Sequence, residues 1–205
     1  MIDIKNIKLY SSKEERMAKY EGSDKVISSH EYKKELDEKK EKEIFSFKSG
    51  FPKLDMHTQG FETGELIVIS GWTGHGKTTI CQSLTVNFEK QGIKTLWFSY
   101  ESPARSFFSK FKSLPLFYLP KELKKSTLDW IEERILEAKI KYDIRVVMID
   151  HLHFLFDFIQ TRHPSLEIGT IVRTLKTLAI KYNLVIFLIA HTSMPKGRKI
   201  GRAHV

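Results

Sequence analysis

The sequence has one cysteine, Cys81, so no disulfide can form within the chain. Its apolar, helically spaced surroundings read as core. No apolar run approaches the length of a membrane span. The opening stretch, "MIDIKNIKLYSSKEER", has no apolar centre of the kind a secretory leader carries. Acid is also in deficit: 34 lysines and arginines face 25 aspartates and glutamates, for a formal net charge of +9. A positive balance suits a polyanionic partner such as nucleic acid. Much of it sits in "EYKKELDEKKEKE", however, where acids alternate with lysines as on a solvated helix. These absences lead us to expect a cytoplasmic protein with no membrane association.

The 205 residues are enough for one domain and an appendage. Residues 1–43 are polar, rich in lysine and glutamate and poor in core residues, and are expected to form a partly helical linker or appendage. From Ile44 the character changes. Four short apolar runs, "ELIVIS", "KTLWFS", "RVVMID" and "LVIFLIA", read as buried strands. Between them lie helical patterns. "TTICQSLTVNFEKQG" stops at Gly92 as a C-cap, and "ESPARSFFSKF" opens on Ser102 and Pro103 as N-cap and first turn. "STLDWIEERILEAKIKY" begins with a capping box of Ser126 and Asp129 and places Leu128, Ile131, Ile135 and Tyr142 on one face. "SLEIGTIVRTLKTLAIKYN" does the same with Ile168, Ile171, Leu175 and Leu178. Continuously apolar strands alternating with helices imply an α/β fold, a mostly parallel sheet covered by helices on both faces. Ligands of such sheets bind at the carboxyl ends of the strands.

Every candidate functional residue lies at such an end. "GWTGHGKTT", Gly71 to Thr79, fits the phosphate-loop pattern G-x-x-x-x-G-K-[ST], which arises by chance on the order of once in a hundred chains of this size. Gly71, Gly74 and Gly76 let the backbone N–H groups of the loop, from Thr73 through His75 to Thr79, turn toward phosphate oxygens. Lys77 reaches the β- and γ-phosphates of a nucleotide such as ATP, and the Thr78 hydroxyl can ligate Mg²⁺. The following helix offers its positive end to the same anion. Asp150 closes the third strand and is placed to hold Mg²⁺, usually through water. Glu101 follows the second strand, where a carboxylate can polarise an attacking water; a surface glutamate opening a helix fits the same position. His191 ends the fourth strand, in reach of a γ-phosphate. His151 and His153 in "IDHLHF" invite a metal-site reading with His191, but no carboxylate or thiolate completes the set at ligand spacing in the sequence.

The run "SGFPKLDMHTQGFETGELIVISGWTGHGKTT" resembles the entry to the RecA-like motor domain of DnaB-type replicative helicases, with Gly50, Leu54, Asp55, Thr58, Gly60, Gly64, Glu65 and Leu66 in the matching places. "FSYESP" is similar to the family segment that carries a catalytic glutamate, here Glu101. "VVMIDHLHFL" is similar to its Walker B segment, with Asp150 as the acid, and "RTLKTLAIKYNLVIFLIAHT" to the part that delivers a γ-phosphate sensor. Histidine at the sensor position resembles the phage helicase-primase and mitochondrial Twinkle branch. The resemblance spans roughly residues 46–196. It implies an ATP- and Mg²⁺-dependent DNA helicase of a phage or bacterium, assembled as a ring, usually hexameric, around single-stranded DNA. Lys77, Glu101 and His191 would serve catalysis, and Arg162, Lys196 and Arg198 would be candidate DNA-phosphate contacts. Two alternatives stay open: a RecA/RadA- or KaiC-like ATPase, and a nucleotide-gated, non-catalytic adaptor such as a helicase-loading subunit. The family continues beyond the fourth strand with further motifs. The expectation is therefore a domain over residues 44–199 that is incomplete at its C-terminus, inactive as a fragment, and left with "ELIVIS" as an open sheet edge. Ile200 to Val205 correspond to the translation of a common short-read sequencing adapter and are expected to be a non-native tail.

Overall fold

The computed structural model describes residues 12–39, 45–123, 127–155 and 164–192. The chain divides into two units, Met1–Glu43 and Ile44–Val205. In the first, α1 (Ser12–Ala18) and α2 (Ser29–Lys39) are short helices with almost wholly exposed side chains. The Ser28 hydroxyl accepts the Glu31 amide at 3.1 Å and so caps the start of α2.

The second unit opens with a small antiparallel pair, β1 (Ser46–Phe47) and β2 (Phe61–Glu62), joined through α3 (Pro52–Thr58). The Asp55 carboxylate fastens this entry by accepting the amides of Ser49 (2.7 Å) and Gly50 (3.2 Å). The main sheet follows: β3 (Leu66–Gly71), β4 (Thr95–Ser99), β5 (Val146–Asp150) and β6 (Val185–His191), with α4 (Lys77–Lys90), α5 (Ala104–Ser109), α6 (Leu128–Tyr142) and α7 (Pro164–Lys181) between them. All neighbours are parallel, in the order β3-β6-β5-β4. The α/β fold expected from the alternating patterns is the fold observed.

Successive side chains of each strand pack on opposite faces. Leu96, Phe98, Val147, Ile149, Ile186 and Leu188 meet Ile131, Ile135 and Ala138 of α6 and Ile171, Leu175, Leu178 and Ala179 of α7. Trp97, Val146, Met148, Phe187 and Ile189 face Cys81, Leu84 and Phe88 of α4 and the aromatic side chains Phe47, Phe61 and Phe107. Edge-on ring pairs such as Phe61–Phe187 at 5.0 Å and Trp97–Phe107 at 4.9 Å fill this second layer.

The two sheet edges differ. At β4, Tyr118 bridges Leu96 and exchanges backbone bonds of 2.8 Å with Thr95 and Trp97. Among the described residues nothing pairs with the outer side of β3, and Val68 on it is 49% exposed.

Three local expectations are corrected. The cap of α6 is Thr127, whose side chain accepts the Trp130 amide, so the helix starts one residue later than a Ser126–Asp129 box would have it; Ser126 lies outside the described residues. The cap of α5 is Pro103, not Ser102, and it makes no side-chain bond. Tyr142 is 41% exposed and stacks on Tyr118 at 4.1 Å, while Ala138 takes the buried place beside Ile135.

Candidate nucleotide site

Parallel strands bring all their carboxyl ends to one side of the sheet, and the register decides which tips are neighbours. Gly71 of β3 pairs with His191 of β6, Asp150 of β5 with Ile189, and Ser99 of β4 with Asp150. The loop after β3 and the residues after β4 and β5 therefore meet above β6.

Within the loop, Gly74 and Gly76 have φ of +82° and +80°, a region that side chains disfavour. A Cβ at either would meet nothing within 4 Å, so backbone conformation and an open cradle require glycine here, not crowding. Gly76 is the residue before α4, whose first amides and positive dipole end face the cradle. Lys77 is buried, and its Nζ donates to the Trp72 carbonyl at 2.8 Å. The Trp72 ring meets His75 edge-on at 5.4 Å, and His75 and Thr79 are exposed.

The Thr78 hydroxyl donates to Asp150 Oδ2 at 2.7 Å, joining the phosphate loop to the tip of β5. Asp150 is fully buried, and its Oδ1 has no hydrogen-bond partner among the described residues. Burial pushes this carboxyl above its usual range; the Thr78 bond opposes that shift and the neighbouring Glu101 charge adds to it. A buried acid with a vacant oxygen beside a threonine hydroxyl is an all-oxygen donor set, which fits Mg²⁺.

Glu101 approaches two imidazoles. Its Oε2 lies 3.5 Å from His191 Nε2 and 3.6 Å from His151 Nδ1, too far for good hydrogen bonds. His191 is oriented from its other nitrogen, Nδ1, which is 3.2 Å from the Thr73 hydroxyl. His151 is held down to about 4, chiefly by burial, then by the adjacent His191, with Glu101 pulling the other way. Burial followed by His191 also lowers His153, whose ring is 6.1 Å from that of His191. The histidine set that lacked a carboxylate in the sequence thus gains one in space, since Glu101 joins His151 and His191 while His153 stands outside. Sequence spacing could not reveal this, because the three residues come from three different strand ends.

Lys77, Thr78, Glu101, Asp150 and His191 are brought together, with Gly71, Thr73, Gly74 and Gly76 around them. A large surface cleft elsewhere, lined by Tyr118, Trp130, Arg134 and Tyr142, includes none of them. Arg162, Lys196, Arg198 and the 200–205 tail lie outside the described residues.

Comparison with known proteins agrees with this geometry. Residues 46–114 match the DnaB-like helicase C terminal domain. The chain is similar to a probable replicative DNA helicase of Trieres chinensis, 26% identical over 178 residues, covering 71% of this chain and 39% of the relative. It is also similar to the replicative DNA helicase DnaB of Mycoplasma genitalium, 28% identical over 189 residues, covering 73% and 40%. The chain therefore spans about two fifths of the length of these relatives. Among solved structures, a helicase ATPase domain superposes with a TM-score of 0.64 at 19% identity, over 80% of this chain and 70% of that one. The DnaB-like chain has the RecA-like α/β fold of that domain. Among the described residues no helix is long and apolar enough to cross a membrane.

Proposed function

We propose that this chain is the ATP-hydrolysing motor of a DnaB-type replicative DNA helicase, working as a ring on single-stranded DNA in the cytoplasm. The observation that carries the reading is the 2.7 Å bond between Thr78 and Asp150, which ties a phosphate loop to a strand-end acid directly beside Glu101 and His191. A loop alone binds phosphate; a loop joined to a buried acid and an adjacent carboxylate can also hydrolyse it.

In this reading Lys77 exchanges the Trp72 carbonyl for the β- and γ-phosphates of ATP. The Thr78 hydroxyl and Asp150 hold Mg²⁺, which supplies positive charge against the phosphoryl oxygens. Glu101, more exposed than Asp150, orients the attacking water and takes its proton. His191, set by Thr73, donates to the γ-phosphate and loses that partner when the phosphate leaves. Because Thr73 belongs to the loop and His191 to β6, this loss is felt on both elements, and β6 leads out of the site. The similarity to replicative helicases supports duplex DNA as the final substrate.

The test is ATP hydrolysis by the full-length protein with and without single-stranded DNA, together with unwinding of a forked duplex. DNA-stimulated hydrolysis with unwinding is expected. Strand exchange without unwinding would move the assignment to a recombinase, and nucleotide binding without turnover to an adaptor.

A further inference from the structure

The cluster of Glu101, His151 and His191 has a donor set that the Mg²⁺ chemistry of the neighbouring site does not call for. One donor atom from each residue lies within 4.8 Å of the other two. A tetrahedral ion with bonds of about 2.0–2.1 Å needs its donors about 3.3–3.4 Å apart. The two edges from Glu101 Oε2, at 3.5 Å to His191 Nε2 and 3.6 Å to His151 Nδ1, are already close to that spacing.

Three further observations fit an ion. His151 Nδ1 is a buried ring nitrogen with no hydrogen-bond partner among the described residues. His191 has its outer nitrogen at the Thr73 hydroxyl (3.2 Å), the arrangement that fixes a metal-binding imidazole with its other lone pair inward. The side chains are 35%, 13% and 17% exposed for Glu101, His151 and His191, so an ion can enter and keep an open position. Two imidazoles and one carboxylate favour borderline transition ions over Mg²⁺ or Ca²⁺, which take oxygen. The nearest cation, Lys77, is engaged with the Trp72 carbonyl.

We propose that Glu101, His151 and His191 form a binding site for a divalent transition ion of the Zn²⁺ type, separate from the oxygen site at Thr78 and Asp150. An ion there occupies the Glu101 carboxylate and the inward nitrogen of His191, so it halts hydrolysis while leaving the phosphate loop open to nucleotide. That consequence rests on the role given to Glu101 above; the site itself does not.

The experiment uses the full-length protein without nucleotide, titrated with Co²⁺ as a spectroscopic probe and with Zn²⁺ by calorimetry. One tightly held ion per chain is expected, with the visible absorption of four-coordinate Co²⁺ displaced by Zn²⁺. His151→Asn should abolish the band. Thr73→Val, which keeps all three donors but removes the outer contact of His191, should weaken Zn²⁺ about 10- to 100-fold, with recovery in Thr73→Ser. Absence of one-site uptake in the parent protein, or uptake unchanged by His151→Asn, overturns the proposal. The metal titration is read without ATP, so a protein that takes up the ion but never hydrolyses ATP refutes the function proposed above and not this site.

Discussion

The two halves of the site are held in different ways. On the loop side, Lys77 and Thr78 are tied by hydrogen bonds of 2.8 and 2.7 Å, one to the loop's own backbone and one to a fully buried acid. On the strand-tip side, Glu101, His151 and His191 approach one another at 3.5–3.6 Å without bonding well, and all three retain some exposure. The first half is fixed by directional bonds, the second by where β4, β5 and β6 happen to end. A half built from fixed donors suits binding. A half of closely spaced groups with unused lone pairs suits a step in which protons and charge change hands.

The largest effect should come from the first half. Lys77→Ala removes a charge-assisted contact to phosphate worth about 1.5–3 kcal/mol, so nucleotide affinity should fall roughly 10- to 100-fold and hydrolysis should vanish. A fluorescent-nucleotide titration reads this, and an unchanged Kd would break the division drawn here.

Glu101→Gln should do the reverse. Turnover is expected to drop about 10²- to 10⁴-fold with nucleotide affinity preserved. Steady-state rates set beside the same titration separate the two outcomes, and a parallel loss of affinity would merge the halves.

The smallest effect tests the bond that joins them. In Asp150→Asn the amide oxygen still accepts from Thr78, so the fold should persist while the Mg²⁺ requirement rises. Burial raises the Asp150 carboxyl, so the native state holds its proton more tightly than the unfolded chain does. The parent is therefore penalised as pH rises from the unfolded value near 3.8 through the raised native one. At neutral pH the variant should melt at or above the parent temperature, and the difference should close below about pH 3.8. Calorimetric scans at several pH values check this; a variant that melts far lower at neutral pH would show that the charge is stabilising.

Much of this was legible in the sequence because strands and loop announce themselves separately. Four apolar runs and one glycine pattern placed Lys77, Thr78, Asp150 and His191 at strand ends. The order of those strands was not legible: a parallel register is set by the crossovers, and it is β6 lying between β3 and β5 that puts His191 beside Thr73. Glu101 was ambiguous for the same reason, since only its distance to two histidines distinguishes it from a surface acid. The Trp72 carbonyl under Lys77 leaves no trace in side-chain chemistry. Val68 reads as buried within "ELIVIS", but the open side of β3 exposes it.

Trp72 has a consequence of its own. Of the three tryptophans in the chain, Trp97 is sealed in the core and Trp130 sits on α6, so only Trp72 belongs to the phosphate loop. Its indole leans on His75 and its carbonyl grips the lysine that a nucleotide would claim. Drawing that lysine away changes the electric field and the contacts around the ring at once. The loop is thereby its own lamp: its native fluorescence reports, without any attached dye, the moment when the lysine lets go.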